Sequence, residues 1–182
     1  MEEKYMGWWK EAIEAVKAND PATSKTLEVI LTCPGIKALA AHRFSHFLWE
    51  HDFKMLARLN SQLWRFLTQI EIHPGAKIES GVFIDHGNGI VIGETAVIEK
   101  GAILFHGVTL GGAGKKVGKR HPTIRQGAFI SAHSKIIGPI EIGKNSKIGA
   151  GAVVTRDVPD NVTVVGVPAT IVRTYVSSKN SI

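Results

Sequence analysis

Asp85-His86 is the pair in this chain best suited to acid–base work, because an imidazole oriented by a carboxylate activates a hydroxyl nucleophile. Glu71, fifteen residues earlier, is a second carboxylate able to orient the same ring. Alone, an Asp-His dipeptide reads as a solvated surface pair, so its weight depends on where the chain puts it. A second group lies between Thr109 and Thr123, where Gly111, Gly112, Gly114 and Gly118 are interspersed with Lys115, Lys116, Lys119, Arg120 and His121. Glycines permit close backbone approach to a ligand, and the cationic side chains suit a phosphate or a carboxylate. The plain alternative is a mobile loop with solvating lysines. His86, His106, His121 and His133 lack a close His-x4-His pair, and His42 and His46, at i and i+4, have no third ligand. The latter two read as decoration of an amphipathic helix, and no metal is expected. Asp20, in Asn19-Asp20-Pro21, reads as a helix N-cap.

The elements that must position these groups follow from a period of six. Ile72, Ile78, Ile84, Ile90, Ala96, Ala102 and Val108 recur at six-residue intervals, and Ile124, Ile130, Ile136, Ile142, Ile148 and Val154 resume the spacing. Neither a helix nor a plain strand has that period. A β-helix has it, with one short strand and one turn per hexad and the aliphatic residue inward. Three hexads per coil place Ile72 under Ile90 and Val108, and set His86 and Glu71 on adjacent rungs. From Val108 to Ile124 is sixteen residues, not a multiple of six, so the chain leaves the coil over 109–123. Such insertions usually sit on the binding face of a repeat protein.

Residues 1–70 read instead as helices, with apolar positions such as Trp8, Ala12 and Val16 recurring on one face. A second helix is expected over Thr23–Leu31, a third around Ala38–Trp49 and a fourth over Lys54–Ile70. All four tryptophans and four of the seven phenylalanines precede residue 71, which sets a boundary near Glu71. The fold class is therefore α+β: a helical segment over 1–70, a β-helix over 71–172, and a flexible polar tail over 173–182. The helices cap the end of the coil, whose edges would otherwise stay unpaired.

The composition removes other classes. No apolar run approaches the roughly 20 residues of a membrane span, and the Met1-Glu2-Glu3-Lys4 start lacks the order of a signal peptide. One cysteine, Cys33, precludes an internal disulfide and suits a cytoplasmic location, where it reads as a small buried hydrophobe. The net charge of +6 invites nucleic acid, but no stacking-aromatic pattern accompanies the basic residues.

The segments Ile72-His73-Pro74-Gly75-Ala76-Lys77-Ile78, Asp85-His86-Gly87-Asn88-Gly89-Ile90, Gly93-Glu94-Thr95-Ala96, Val108-Thr109-Leu110-Gly111-Gly112, Arg120-His121-Pro122 and Gly166-Val167-Pro168-Ala169 resemble serine O-acetyltransferases of the hexapeptide-repeat superfamily. The resemblance runs from about Asp20 to Ile171. It implies a left-handed coil assembled as a homotrimer, with a hexamer as the alternative, and sites between neighbouring coils. It further implies acetyl transfer from acetyl-CoA to the hydroxyl of L-serine in cysteine biosynthesis. His86 becomes the general base, with Glu71 as its orienting carboxylate where the family usually has aspartate. Asp20, Asp85, Arg120 and His121 become contacts to the amino acid, and Gly111, Gly112, Ala132 and Lys147 line the acetyl-CoA groove. Cysteine is implied as a feedback inhibitor, and Ile182 as a contact to cysteine synthase. A related acyltransferase acting on a sugar or another amine shares the coil and the histidine, and a non-catalytic scaffold shares only the coil.

Overall fold

The computed structural model describes residues 2–20, 25–114 and 117–175. Four helices come first: α1 (Glu2–Asn19), α2 (Thr26–Thr32), α3 (Pro34–Glu50) and α4 (Lys54–Thr68). Pro34 opens α3 at a position where its missing N–H costs nothing. The described residues then hold fifteen short strands in three sheets. Sheet A stacks β1 (Ile70–Ile72), β4 (Ile90–Ile92), β7 (Thr109–Gly111), β10 (Lys135–Ile137) and β13 (Val153–Val154). Sheet B stacks β2 (Lys77–Ile78), β5 (Val97–Ile98), β8 (Thr123–Ile124) and β11 (Glu141–Ile142). Sheet C stacks β3 (Phe83–Asp85), β6 (Ile103–Phe105), β9 (Phe129–Ile130), β12 (Lys147–Ile148), β14 (Val162–Val165) and β15 (Thr170–Thr174). Strands cycle through A, B and C, and every pairing is parallel except β14 with β15. The chain thus forms a parallel β-helix of three-strand coils behind a helical segment.

The register corrects one expectation. Ile72 lies opposite Ile92, not Ile90, and Ile92 lies opposite Leu110. Ile72↔Ile92, Ile78↔Ile98 and Ile84↔Leu104 are each offset by twenty residues, whereas Ile92↔Leu110 is offset by eighteen. The first coil therefore carries two extra residues between β3 and β4, in the turn that holds His86. The period of six persists through Ile90, Ala96, Ala102 and Val108 because these also face inward, two positions before the stacked residues, and all are buried.

A second insertion is larger. Ile98↔Ile124 and Leu110↔Ile136 are offset by twenty-six, eight more than a regular coil. The excursion runs from Gly112 to Pro122; Thr109–Gly111, expected within it, form β7 because Leu110 is fully buried in the stack. At the other end, Arg173 and Thr174, expected in the tail, belong to β15, which covers the last sheet C edge. The rest of that tail, from 176 to 182 and including Ile182, lies outside the described residues.

Leu104, Leu110, Ile124, Ile130, Ile136, Ile142 and Ile148 are fully buried along the coil axis. Each such side chain stabilises the fold by roughly 1.5–3 kcal/mol relative to exposure. The helices close the first coil: α3 and α4 pack on each other and on β1, while α1 and α3 reach β3. A Cβ on Gly35 would come within 2.9 Å of Ile84 Cβ, which shows how closely α3 sits on the strand bearing Asp85. His42, expected as surface decoration, is a core residue instead; burial pushes its pKa down to about 3 and keeps the ring neutral. His46 Nδ1–H donates to Pro74 O at 2.7 Å and ties α3 to the same coil. The opposite face of α4 leaves Leu56, Leu59, Leu63, Phe66 and Leu67 exposed.

Candidate active site

His86 occupies the turn created by the two extra residues, at the corner where sheet C passes to sheet A. Its backbone is left-handed, with φ 57°, and Gly87 follows at φ 77°. A side chain at Gly87 would collide with Ile70, since its Cβ would sit 2.9 Å from Cγ1, so the corner folds tightly over the start of β1. The imidazole projects outward with 70% of the side chain exposed, and its Nε2 stands 3.8 Å from Asp85 Oδ1. Glu71 lies beside this corner, opposite Val91 in the sheet, and shares with Gly89 and Ile90 a cleft of ≈ 390 Å³. Its carboxylate pairs with Arg65 Nε at 3.1 Å. Among the described residues, then, Glu71 is paired with Arg65, and Asp85 stands beside His86 short of hydrogen-bond distance.

Cys33 joins α2 to α3, as the last cap of one and the first cap of the other. Burial pushes the Cys33 thiol above its ordinary pKa, and the charges of Asp20, Glu28 and Asp85 push in the same direction. Asp20 does not stand at the N-cap position of α2. Its N–H donates to Val16 O at 2.8 Å, which prolongs the last turn of α1, and α2 starts at Thr26 behind Lys25.

Arg120 and His121 lie at the next corner, where sheet A passes to sheet B. His121 is buried, and its Nδ1 accepts from Thr95 N–H at 3.2 Å and lies 2.9 Å from Thr95 Oγ1. Thr95 Oγ1 in turn accepts from the N–H groups of Arg120 and His121, at 3.0 and 3.1 Å. The ring proton is therefore on Nε2, between Gly93 and Gly112, neither of which has a side chain to block it. Burial first, then the Arg120 charge, holds the His121 pKa below its ordinary value, with Glu94 opposing. The result is a neutral hydrogen-bond donor beside a guanidinium. Arg120 Nη2 donates to Glu94 Oε2 at 2.6 Å, which fixes one side of the fork and leaves further donors. Lys119 does not solvate the loop: its Nζ donates to Thr95 O at 2.8 Å and to Pro122 O at 3.3 Å. Lys115 and Lys116 lie outside the described residues.

The residues expected along an acyl-donor groove are spread over three places. Gly111 ends β7 and Gly112 lies against Arg120 and His121. Ala132 stands at the His86 corner two coils on, its carbonyl accepting from Gly151 N–H at 2.9 Å. Lys147 is exposed on β12, with Nζ 5.3 Å from the Tyr175 ring centre. In one chain, sheet A separates the corner of Asp85, His86 and Ala132 from the corner of Arg120, His121 and Gly112. Gly93, Glu94 and Thr95, which build the second corner, belong to a segment that carries the resemblance but have no site role among the expectations; Thr95 in a hexad turn is the signal, since a turn hydroxyl serves neighbouring N–H groups. Arg65 is the other omission, placed one helical turn before β1.

Residues 121–156 match the bacterial transferase hexapeptide family model of six repeats. A serine acetyltransferase of Bacillus subtilis (strain 168) is 55% identical over 163 residues, covering 90% of this chain and 75% of the relative. That of Helicobacter pylori (strain ATCC 700392 / 26695) is 51% identical over 155 residues, covering 85% and 91%. Among solved structures, a serine acetyltransferase in complex with cysteine superimposes with a TM-score of 0.93 at 42% identity, covering 95% of this chain and 67% of that one. The Brucella abortus strain S19 enzyme in complex with coenzyme A gives 0.92 at 44% identity, covering 96% and 70%. A hexapeptide coil with a histidine corner and an Arg-His loop, carrying this degree of identity across nearly its whole length, belongs to the serine acetyltransferases.

Proposed function

We propose that this chain transfers acetyl from acetyl-CoA to the hydroxyl of L-serine, giving O-acetylserine and CoA, with His86 as the base. The observation that carries the reading is the division of labour between two corners. One presents an exposed imidazole beside carboxylates; the other presents a neutral imidazole N–H beside a guanidinium. A zwitterionic amino acid fits that pair: Asp20 and Asp85 take the ammonium, and Arg120 and His121 take the carboxylate. His86 removes the hydroxyl proton as the oxygen bonds to the thioester carbonyl carbon. The C–S bond then breaks, and the proton passes from the imidazolium to the departing thiolate. Glu71 and Asp85 stabilise that imidazolium. Gly111, Gly112, Ala132 and Lys147 line the path of the acyl donor.

Because one chain holds the two corners apart across sheet A, a neighbouring copy supplies the second corner, in a trimer. The exposed apolar row on α4 supports such an assembly, as a face of this kind is normally covered. Cysteine, which differs from serine only at the side-chain atom, competes for the same contacts. The Ile182 contact to cysteine synthase is retained as a further part of this reading. No helix among the described residues is long and apolar enough to cross a membrane, and a single free thiol accords with a cytoplasmic enzyme. Thiol release from acetyl-CoA, measured against L-serine, L-homoserine and a panel of sugars, tests the reading. Turnover selective for serine supports it; selective turnover of a sugar, or none with any acceptor, overturns it.

A further inference from the structure

No hydrogen bond among the described residues fixes the plane of the His86 ring. Asp85 Oδ1 at 3.8 Å is beyond hydrogen-bonding range, and the Glu71 carboxylate is engaged by Arg65. The ring does touch His106, with centroids 5.8 Å apart and planes at 84°. His106 packs in the same way on His133, at 4.8 Å and 89°. Both contacts are edge-to-face, the arrangement aromatic rings favour. Three imidazoles thus form a column up one corner, one per coil, with the proposed base at its end.

The column is held in place by its surroundings. His133 N–H donates to His106 O at 2.9 Å, and Lys135 Nζ donates to Gly107 O at 2.8 Å. A Cβ on Gly107 would lie 2.7 Å from His133 Cε1, so only glycine leaves the His133 ring its seat beside His106. His106 Nδ1 is buried without a hydrogen-bond partner, an arrangement that stability alone disfavours.

We propose that His106 is a positioning residue: its ring, braced by His133, sets the plane in which His86 meets the serine hydroxyl. This rests on His86 acting as the base. The test compares steady-state kinetics of His106→Ala, His106→Phe and His86→Ala with the wild type, with thermal unfolding as a check on folding. His106→Ala is expected to lower kcat roughly three- to tenfold, the scale of one lost edge-to-face contact, with the KM for serine and for acetyl-CoA nearly unchanged. His106→Phe keeps the ring and should restore most of the loss. An inactive His86→Ala beside a His106→Ala of wild-type kcat overturns the positioning role and leaves the base intact. An active His86→Ala overturns the base itself. A His106→Phe as slow as His106→Ala, or a defect confined to KM, also overturns the positioning role. Should His106→Ala not fold, His106→Leu, which fills the space without an aromatic face, takes its place: a kcat roughly three- to tenfold below that of His106→Phe supports the role, and a kcat equal to the wild type overturns it.

Discussion

Replacing Gly93 by alanine should damage serine recognition more than the fold. The new Cβ would stand 2.8 Å from His121 Cγ, with Cδ2 and Nε2 nearer still, well inside ordinary contact. Gly93 does not occupy the left-handed region, so the backbone accepts alanine and the clash falls on the imidazole alone. The ring must swing away, losing the Thr95 N–H that fixes its tautomer and moving the Nε2–H donor off line. Overpacking of this kind costs about 1–3 kcal/mol of stability. Loss of one hydrogen bond to a charged carboxylate costs about 1.5–3 kcal/mol, or roughly 10- to 150-fold in kcat/KM for serine. The KM for acetyl-CoA should change little. Gly7→Ala, at an exposed position of α1 with no atom within 4 Å of the added carbon, is the matched control. Thermal unfolding and the two KM values read out both parts. A Gly93→Ala enzyme with a wild-type serine KM would refute the placement of His121 at the substrate carboxylate.

Three further outcomes follow from the same geometry. His42 is held neutral with a pKa near 3 against an ordinary 6.5, so its contribution is complete above pH 6.5 and fades as pH falls towards 3. Between pH 6.5 and 4.5, urea unfolding of the wild type should lose about 2–3 kcal/mol more than that of His42→Phe; equal losses would contradict the burial of that ring. Glu71→Gln should lower kcat by less than His86→Ala, and Glu71→Asp should retain much of the activity; if Glu71→Gln turns over like the wild type, that carboxylate does not serve the base. Phe66→Glu, on the exposed row of α4, should reduce the solution mass from that of the proposed trimer and lower activity with it; an unchanged mass would contradict the use of this row as the interface.

Much of this architecture was legible in the chain. Inward aliphatics such as Ile124, Ile130 and Ile136 recur because every hexad must fill the same narrow axis, so the pattern is dictated position by position. The register of the first coil was not legible. Ile90 and Ala96 are as buried as Ile92 and Ile98, and a two-residue slip therefore leaves the hydrophobic period unchanged. That slip is where His86 sits. Asp85-His86 and Arg120-His121 were found by residue type, but their partners were not. Thr95 reaches His121 across twenty-six residues, and Arg65 takes the Glu71 carboxylate from another element, which only three-dimensional packing decides. His42 misled because an i, i+4 pair on a helix does not reveal which side the coil will cover.

If the His86 imidazole removes the proton from the serine hydroxyl, the kcat of His86→Ala must fall. With 70% of this side chain exposed, the substitution leaves the aliphatic stack untouched and gives up only the ring contact with His106, so the enzyme should stay folded with a slightly lower unfolding temperature. Removing a general base should lower kcat by roughly 10²–10⁴-fold while the KM for acetyl-CoA stays nearly constant. A folded His86→Ala enzyme that acetylates serine at the wild-type rate would rule out His86 as the base.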